Sequence, residues 1–324
     1  MDPVLSIRDL RVSFRTPAGI VQAVRGVNLD VAPGELVGVV GESGSGKSVS
    51  FLSIMGLLPS SATVTGSALV AGTQMVGVSP QQVRSQRGKK IAMIFQDPLS
   101  ALNPVHRIGA QIVEMIQAHQ DVSKSEAHAR AVELLDIVGL PQPDVRANQY
   151  PHEFSGGMRQ RVMIAMAIAN DPDILIADEP TTALDVTVQA QILEVIENVR
   201  QRLNTAVVFI THDLGVVARV ADRVEVMYAG NTVERGLVND MFATPHHPYT
   251  QGLLASLPSH NKERLKPILG SPPNMIAPPT GCAFRPRCAH ATDACAGATA
   301  ELVQVGSTHT ACIRAAELSG VGRE

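Results

Sequence analysis

The sequence predicts an α/β fold, with a mostly parallel sheet covered by helices on both faces. Three observations lead there. Short apolar runs alternate with helical stretches, the pattern of strands joined by crossover helices. One run, Leu36–Val40, passes directly into a glycine-rich loop and an apolar helix. Another, Ile174–Ala177, ends in the adjacent acids Asp178 and Glu179.

Val4–Val12, Val21–Val31 and Leu36–Val40 read as strands, rich in Val, Leu and Ile. Leu36–Val40 is apolar throughout, as suits a strand buried on both faces. Ser48–Leu58 follows as a helix. Ser123 and Glu126 form a capping box. Behind it Ala131, Leu134, Leu135 and Val138 recur at three- and four-residue spacings, and Gly139 can stop that helix. A further helix is expected from near Gly157 to Ala169, and another after Asp185. The latter carries a core-facing stripe of Ile192, Val195, Val199 and Leu203. Val207–Ile210 reads as one more buried strand, leading to His212. Beyond about residue 255 the composition changes. Pro267, Pro272, Pro273, Pro278, Pro279 and Pro286 crowd one segment, which cannot be helical throughout. The chain is therefore expected to divide into a domain over residues 1–255 and a small, loop-rich C-terminal extension over residues 256–324.

The chain has 324 residues, 45% of them apolar and 18% charged, as in a globular protein with a sizeable core. Net charge is −3 and no run of Lys or Arg stands out, so nucleic acid is not an expected partner. No stretch approaches the roughly 20 apolar residues that span a bilayer. The best run, Val162–Ala169, stops at Asn170 and Asp171. Met1-Asp2-Pro3 does not open a signal peptide. A cytosolic location is expected, with any membrane role reached by docking onto another protein. All four cysteines lie after residue 280 and, in a reducing cytosol, are not expected to pair.

Gly41-Glu42-Ser43-Gly44-Ser45-Gly46-Lys47-Ser48 fits the pattern G-x-x-x-x-G-K-[ST]. Its glycines permit a tight turn whose N–H groups point inward as an anion nest, and the following helix adds its N-terminal dipole. Lys47 is expected on the β- and γ-phosphates of a nucleotide and Ser48 on Mg²⁺. The pattern alone should arise by chance in roughly one chain per hundred of this length. Its place between a buried strand and a helix makes a merely structural turn a poor reading. Asp178 and Glu179 close a second buried strand, where such sheets face their ligand. Neighbours on a strand point to opposite faces, so the two carboxylates should divide labour: Asp178 on Mg²⁺, Glu179 on the attacking water. A solvated acidic turn is the plainer alternative.

Phe154-Ser155-Gly156-Gly157-Met158, followed by Arg159-Gln160-Arg161 and an apolar helix, resembles the signature motif of ATP-binding-cassette (ABC) proteins. Physically it is a second anion site, a Ser hydroxyl and two glycines at a helix N-terminus. In that family it contacts the nucleotide held by a partner subunit. The resemblance covers about residues 4–255. Gln96 matches the family's Q-loop, Ala183-Leu184-Asp185 its D-loop at the dimer seam, and His212 its switch histidine. Phe14 matches the aromatic beneath the adenine. Phe154 stands where Leu is usual, a conservative change. The resemblance implies an ABC-type P-loop NTPase fold, with a mixed sheet core and a helical subdomain at about residues 97–168. It implies ATP and Mg²⁺ as ligands, with Ser48, Gln96 and Asp178 on the ion. It also implies hydrolysis by Glu179, His212 and Lys47, and Ser155, Gly156, Gly157, Met158 and Asp185 serving a nucleotide sandwiched in a dimer.

His246-His247-Pro248-Tyr249 and Gly281–Cys288 resemble the C-terminal region of oligopeptide, dipeptide and nickel importer ATPases. Cys282, Cys288, Cys295 and Cys312 are spaced C-x5-C-x6-C-x16-C. Structural zinc more often uses C-x2–4-C pairs, four thiolates suffice for an iron–sulfur cluster, and free thiols remain a third reading. The resemblance, some of whose members carry a [4Fe–4S] cluster here, implies one on these four cysteines. His246, His247, His290 and His309 are expected at the surface. The family further implies a second ABC ATPase subunit (favouring a paralogue), two membrane-spanning permease subunits and an extracytoplasmic solute-binding protein. The chain would then sit peripherally on the cytoplasmic face of the membrane and drive uptake of peptides, with nickel or another small solute as alternative cargo. A soluble ABC ATPase acting on DNA or ribosomes is the rival. Such proteins often carry two cassettes or a long coiled-coil insertion, and neither is present.

Overall fold

A computed structural model of the chain describes residues 2–182, 184–257 and 267–318. The first strands, β1 (Leu5–Thr16) and β2 (Gly19–Val31), form an antiparallel hairpin. The buried strand β3 (Leu36–Val40) leads through the glycine-rich loop into α1 (Lys47–Ile54). Next come β4 (Ala62–Val70), β5 (Thr73–Gln74), α2 (Pro80–Gln86) and β6 (Ile91–Ile94). A helical region follows, with α3 (Pro98–Ala101), α4 (Ile108–Gln117), α5 (Lys124–Ile137), α6 (Pro143–Ala147) and α7 (Gly156–Ala167). The chain then returns to strands through β7 (Ile174–Asp178), α8 (Val186–Leu203), β8 (Ala206–Thr211), α9 (Leu214–Val220), β9 (Arg223–Tyr228) and β10 (Asn231–Leu237). It closes with α10 (Val238–Ala243), α11 (Pro248–Ala255), β11 (Val303–Val305), β12 (Thr308–Thr310) and α12 (Ala315–Leu318).

Two sheets result. The smaller is antiparallel, in the order β2-β1-β4-β5; the larger runs β11-β12-β10-β9-β3-β8-β7-β6. Its centre is parallel, through the pairs β9-β3, β3-β8, β8-β7 and β7-β6, and its β9-β10-β12-β11 side is antiparallel. The sheet is thus mixed, as an ABC-type fold implies. Strand alternation divides the core. Leu175, Ala177, Val207 and Phe209 face the helical region, whereas Ile174, Ile176, Val208 and Ile210 face the antiparallel sheet and α1. The capping box lies where expected: Glu126 N–H donates to Ser123 Oγ, and Ser123 N–H to Glu126 Oε2. Asp185 caps α8 by accepting from Thr187 and Val188 N–H, both at 3.0 Å.

The C-terminal segment is loop-rich, and it is tied into the main sheet. Its hairpin β11-β12 extends the main sheet, pairing Glu234 with Thr310 and Arg235 with His309. His246 and His247 are buried, not at the surface. The cause is Glu234, itself fully buried on β10. It accepts the His246 N–H at 2.6 Å and the His247 N–H at 2.9 Å, and the Thr308 hydroxyl donates to it at 3.3 Å. One carboxylate thereby anchors three segments. Truncating it leaves two buried N–H groups without acceptors, each costing about 1–3 kcal/mol. Glu234→Ala should lower the thermal and denaturant midpoints of unfolding by the equivalent of about 2–4 kcal/mol. A midpoint unchanged within error would show that water replaces this anchor.

Candidate active site

Register decides which residues meet. Val40 pairs with Thr211, Asp178 with Ile210, and Ile94 with Ala177. The glycine-rich loop, the acidic pair, His212 and Gln96 therefore emerge from one edge of the parallel strands, where ligands of such sheets bind.

The loop winds around Lys47. Its ammonium is buried and donates to the carbonyls of Gly41 at 2.7 Å and Glu42 at 3.0 Å. Burial lowers its pKa, and the carboxylates of Glu179, Asp178 and Glu42 partly offset that effect. Gly46 has φ 98°, and a Cβ there would stand 2.5 Å from the Ala23 carbonyl oxygen on β2, so only glycine fits. The antiparallel sheet backs directly onto the loop at this contact. Phe14, on β1 opposite Val21, packs as a partly buried member of that sheet's core.

Ser48 Oγ donates to Asp178 Oδ1 at 2.7 Å. Burial raises the Asp178 pKa and neighbouring Glu179 adds to this, while the Ser48 hydrogen bond and Lys47 oppose it. Glu179 behaves oppositely. Burial would raise its pKa, but hydrogen bonds from Thr182 and His212, with the charges of His212 and Lys47, leave it lowered. Thr182 Oγ1 donates to Glu179 Oε2 at 2.8 Å, Gln96 Nε2 donates to the same oxygen at 3.2 Å, and His212 Nδ1 lies 3.2 Å from Oε1. The Glu179 backbone is left-handed, φ 47°, and its N–H donates to the Ile210 carbonyl at 2.9 Å. Gln96 thus stands with Glu179.

Ser155, Gly156, Gly157 and Met158 stand apart from this cluster. Ser155 and Gly156 are exposed, and the Met158 N–H donates to Ser155 Oγ at 3.4 Å, capping α7. A Cβ on Gly157 would lie 2.5 Å from Val188 Cγ1, so this glycine lets α7 approach α8 closely. Asp185 is the cap of α8, which sets it beside the same helix start. Ala183 lies outside the described residues.

In the C-terminal segment Cys282, Cys288, Cys295 and Cys312 are free thiols that line one pocket with Phe284 and His290. Burial is the largest cause raising the pKa of Cys282, Cys288 and Cys312; a hydrogen bond at the Thr292 backbone lowers that of Cys295. Among the described residues no group of three or more His, Cys, Asp or Glu is drawn close enough to hold a metal ion. That arrangement supports neither zinc nor the iron–sulfur cluster expected on these four cysteines.

Sequence reasoning missed Thr182, Tyr249 and Arg287. Thr182 lies one helical turn's spacing beyond Glu179 and could have been suspected. Tyr249 and Arg287 contact Glu42 from far along the chain, and no local pattern marks that contact.

With the geometry established, known proteins supply a comparison. Residues 24–182 match the ABC transporter family, and residues 233–295 match the oligopeptide/dipeptide transporter C-terminal region. The oligopeptide transport ATP-binding protein OppD of Bacillus subtilis (strain 168) is 54% identical, over 89% of this chain and 82% of that protein. OppD of Mycobacterium tuberculosis (strain ATCC 25618 / H37Rv) is 52% identical over 99% of this chain, which spans 53% of that protein's length. A dimeric ATP-binding cassette solved in a post-hydrolysis state with ADP and Pi has TM-score 0.65 and 28% identity, covering 72% of this chain and 98% of that one. The phosphate-cradling loop, the acidic pair and these likenesses agree, and the chain belongs to the ATP-binding proteins of ABC transporters, in the branch that carries the oligopeptide/dipeptide transporter C-terminal region.

Proposed function

We propose that this chain is the ATP-hydrolysing subunit of an ABC importer that couples ATP turnover to peptide uptake across the cytoplasmic membrane. The observation that carries the reading is Glu179, hydrogen-bonded by Thr182 and Gln96 and in contact with His212, beside the Lys47 cradle and the Ser48–Asp178 pair, with Thr182, His212 and Lys47 holding its pKa down. The relatives' names and the C-terminal match support peptides as cargo. Among the described residues no helix is long and apolar enough to cross a membrane. Membrane-spanning permease subunits supply that part. Two such subunits, a second ATPase (a paralogue) and an extracytoplasmic solute-binding protein complete the transporter, with this chain peripheral on the cytoplasmic face.

Each residue's part follows from its setting. Lys47, now satisfied by two backbone carbonyls, exchanges them for phosphate oxygens. Ser48 and Asp178 offer hard oxygen donors 2.7 Å apart, which fits Mg²⁺, an ion that needs few protein oxygens when phosphates supply the rest. Held there by Ser48 and Asp178, Mg²⁺ would neutralise charge on the phosphates. Glu179 accepts a hydrogen bond from the attacking water and orients it. His212 and Gln96 hold Glu179 and report on the phosphate side of the cluster. Phe14 stacks under the adenine. Ser155–Met158 and Asp185 serve the nucleotide of the second subunit: an exposed helix N-terminus suits a γ-phosphate presented from outside. Closure of the two subunits excludes bulk water, and the helices of residues 97–168 pass the movement to the permease. Catalysis is by positioning and electrostatics, with no covalent intermediate.

The same reading places a [4Fe–4S] cluster on the four cysteines. Its support is that all four thiols line one pocket. A four-iron cluster takes one thiolate per iron and so suits ligands not gathered on a single centre. Such a group would staple a loop-rich segment.

In Glu179→Gln, nucleotide binding should persist, turnover should vanish, and ATP should trap a dimer visible by size-exclusion chromatography; normal turnover removes Glu179 from its role. Thr182→Val deletes a hydrogen bond to the ionised carboxylate, so the Glu179 pKa should rise. Activity that needs the carboxylate then disappears at a higher pH as the solution is acidified, and the acid limb of the pH–rate profile moves up. An unmoved acid limb would show that Glu179 does not set it. Anaerobically purified protein should contain iron and acid-labile sulfide, and Cys288→Ser should lose both; colourless, iron-free wild-type protein ends the cluster assignment.

A further inference from the structure

The C-terminal segment reaches back to the phosphate loop at one residue, Glu42. Arg287, in the short 3-10 turn Arg285–Arg287, donates from Nη1 to Glu42 Oε2 at 2.6 Å and from Nη2 to Oε1 at 3.0 Å. This is the two-point fork that makes an Arg–carboxylate pair strong and directional. The Arg287 side chain is only 5% exposed. It is held in turn by the Leu269 carbonyl, 2.9 Å from Nε, and by the Tyr228 hydroxyl, 3.3 Å from Nη1. Its guanidinium also stands 5.8 Å from the Tyr228 ring centre and 5.9 Å from that of Phe284. On the backbone side, the Glu42 N–H donates to the hydroxyl of fully buried Tyr249 at 2.9 Å. The Glu42 carbonyl is one of the two on which Lys47 rests.

Glu42 is a poor neighbour for a triphosphate. Its carboxylate belongs to the very turn whose N–H groups should meet phosphate oxygens, and like charges there repel. The fork neutralises and holds that carboxylate, while Tyr249 fixes the backbone at the first turn of the loop.

From this geometry we infer that Arg287 and Tyr249 are positioning residues for ATP: they neutralise and hold Glu42, so that the C-terminal segment sets the affinity of the phosphate loop for nucleotide. The inference rests on reading Gly41–Ser48 as the ATP site. Its two parts are separable, since charge neutralisation depends on Glu42 being acidic and a packing role does not.

The test uses the assembled transporter, with the KM for ATP and kcat measured for the wild type, Arg287→Ala, Arg287→Lys, and Arg287→Ala combined with Glu42→Gln. Thermal unfolding without nucleotide monitors folding, and a fluorescent ATP analogue reports binding directly. Arg287→Ala should raise KM about tenfold, the effect of losing one charge-assisted pair, with kcat at saturating ATP close to that of the wild type. Arg287→Lys keeps the charge without the fork and should recover part of the loss. Glu42→Gln in the Arg287→Ala background removes the unneutralised charge and should recover more. A wild-type KM in Arg287→Ala, a fall in kcat alone, or no recovery on adding Glu42→Gln overturns the inference. If Arg287→Ala does not fold, Arg287→Lys with and without Glu42→Gln decides by the same criteria. Wild-type protein that fails to bind the analogue, or Lys47→Ala that binds it normally, would instead defeat the ATP-site reading beneath.

Discussion

Lys47 carries a positive charge that is buried among backbone, and much of the structure is arranged around that fact. An ammonium taken out of water is costly unless oxygens surround it. Here the Gly41 and Glu42 carbonyls meet it, and the carboxylates of Glu179, Asp178 and Glu42 help keep it charged. Gly46 takes a left-handed turn in this loop, and the Ala23 carbonyl of β2 leaves no room there for a side chain. The antiparallel sheet is therefore part of the site's wall as well as of the core. A loop already held by such contacts binds phosphate without first having to order itself.

The acidic pair shows how adjacent residues acquire different chemistry. Asp178 is the last residue of β7 and faces Ser48; Glu179 turns away through a left-handed backbone conformation. For a residue with a Cβ that conformation costs on the order of 1–3 kcal/mol. The Ile210 carbonyl and the side chains of Thr182, Gln96 and His212 hold it in place. The environments push the two carboxyls in opposite directions, Asp178 up and Glu179 down.

The C-terminal segment is stabilised by what it joins. Tyr228, Tyr249 and Phe284 pack as a triad with ring centres 4.6 to 5.4 Å apart, beneath the pocket that the cysteines line. Aromatic contacts of this kind add to the area they bury. With Glu234 anchoring His246, His247 and Thr308, and Arg287 on Glu42, a proline-rich stretch becomes a fixed wall of the ATPase.

What the sequence settled by itself is whatever neighbouring residues encode together. The strand–loop–helix at Gly41–Ser48, the capping box at Ser123 and Glu126, the helix after Asp185 and the buried strands that lead to Asp178 and His212 all follow from local hydrogen bonding and side-chain pattern. Their boundaries differed from the structure by a few residues, because helix and strand ends are set by what they pack against. The meeting of Gln96 with Glu179, the burial of His246 and His247, the joining of β12 to β10 and the Arg287–Glu42 fork were decided only by tertiary structure. Each pairs groups that are not chain neighbours, from 12 residues apart for Glu234 and His246 to 245 for the fork. No period or spacing records such a meeting; it exists only once two packed faces have brought the groups within reach.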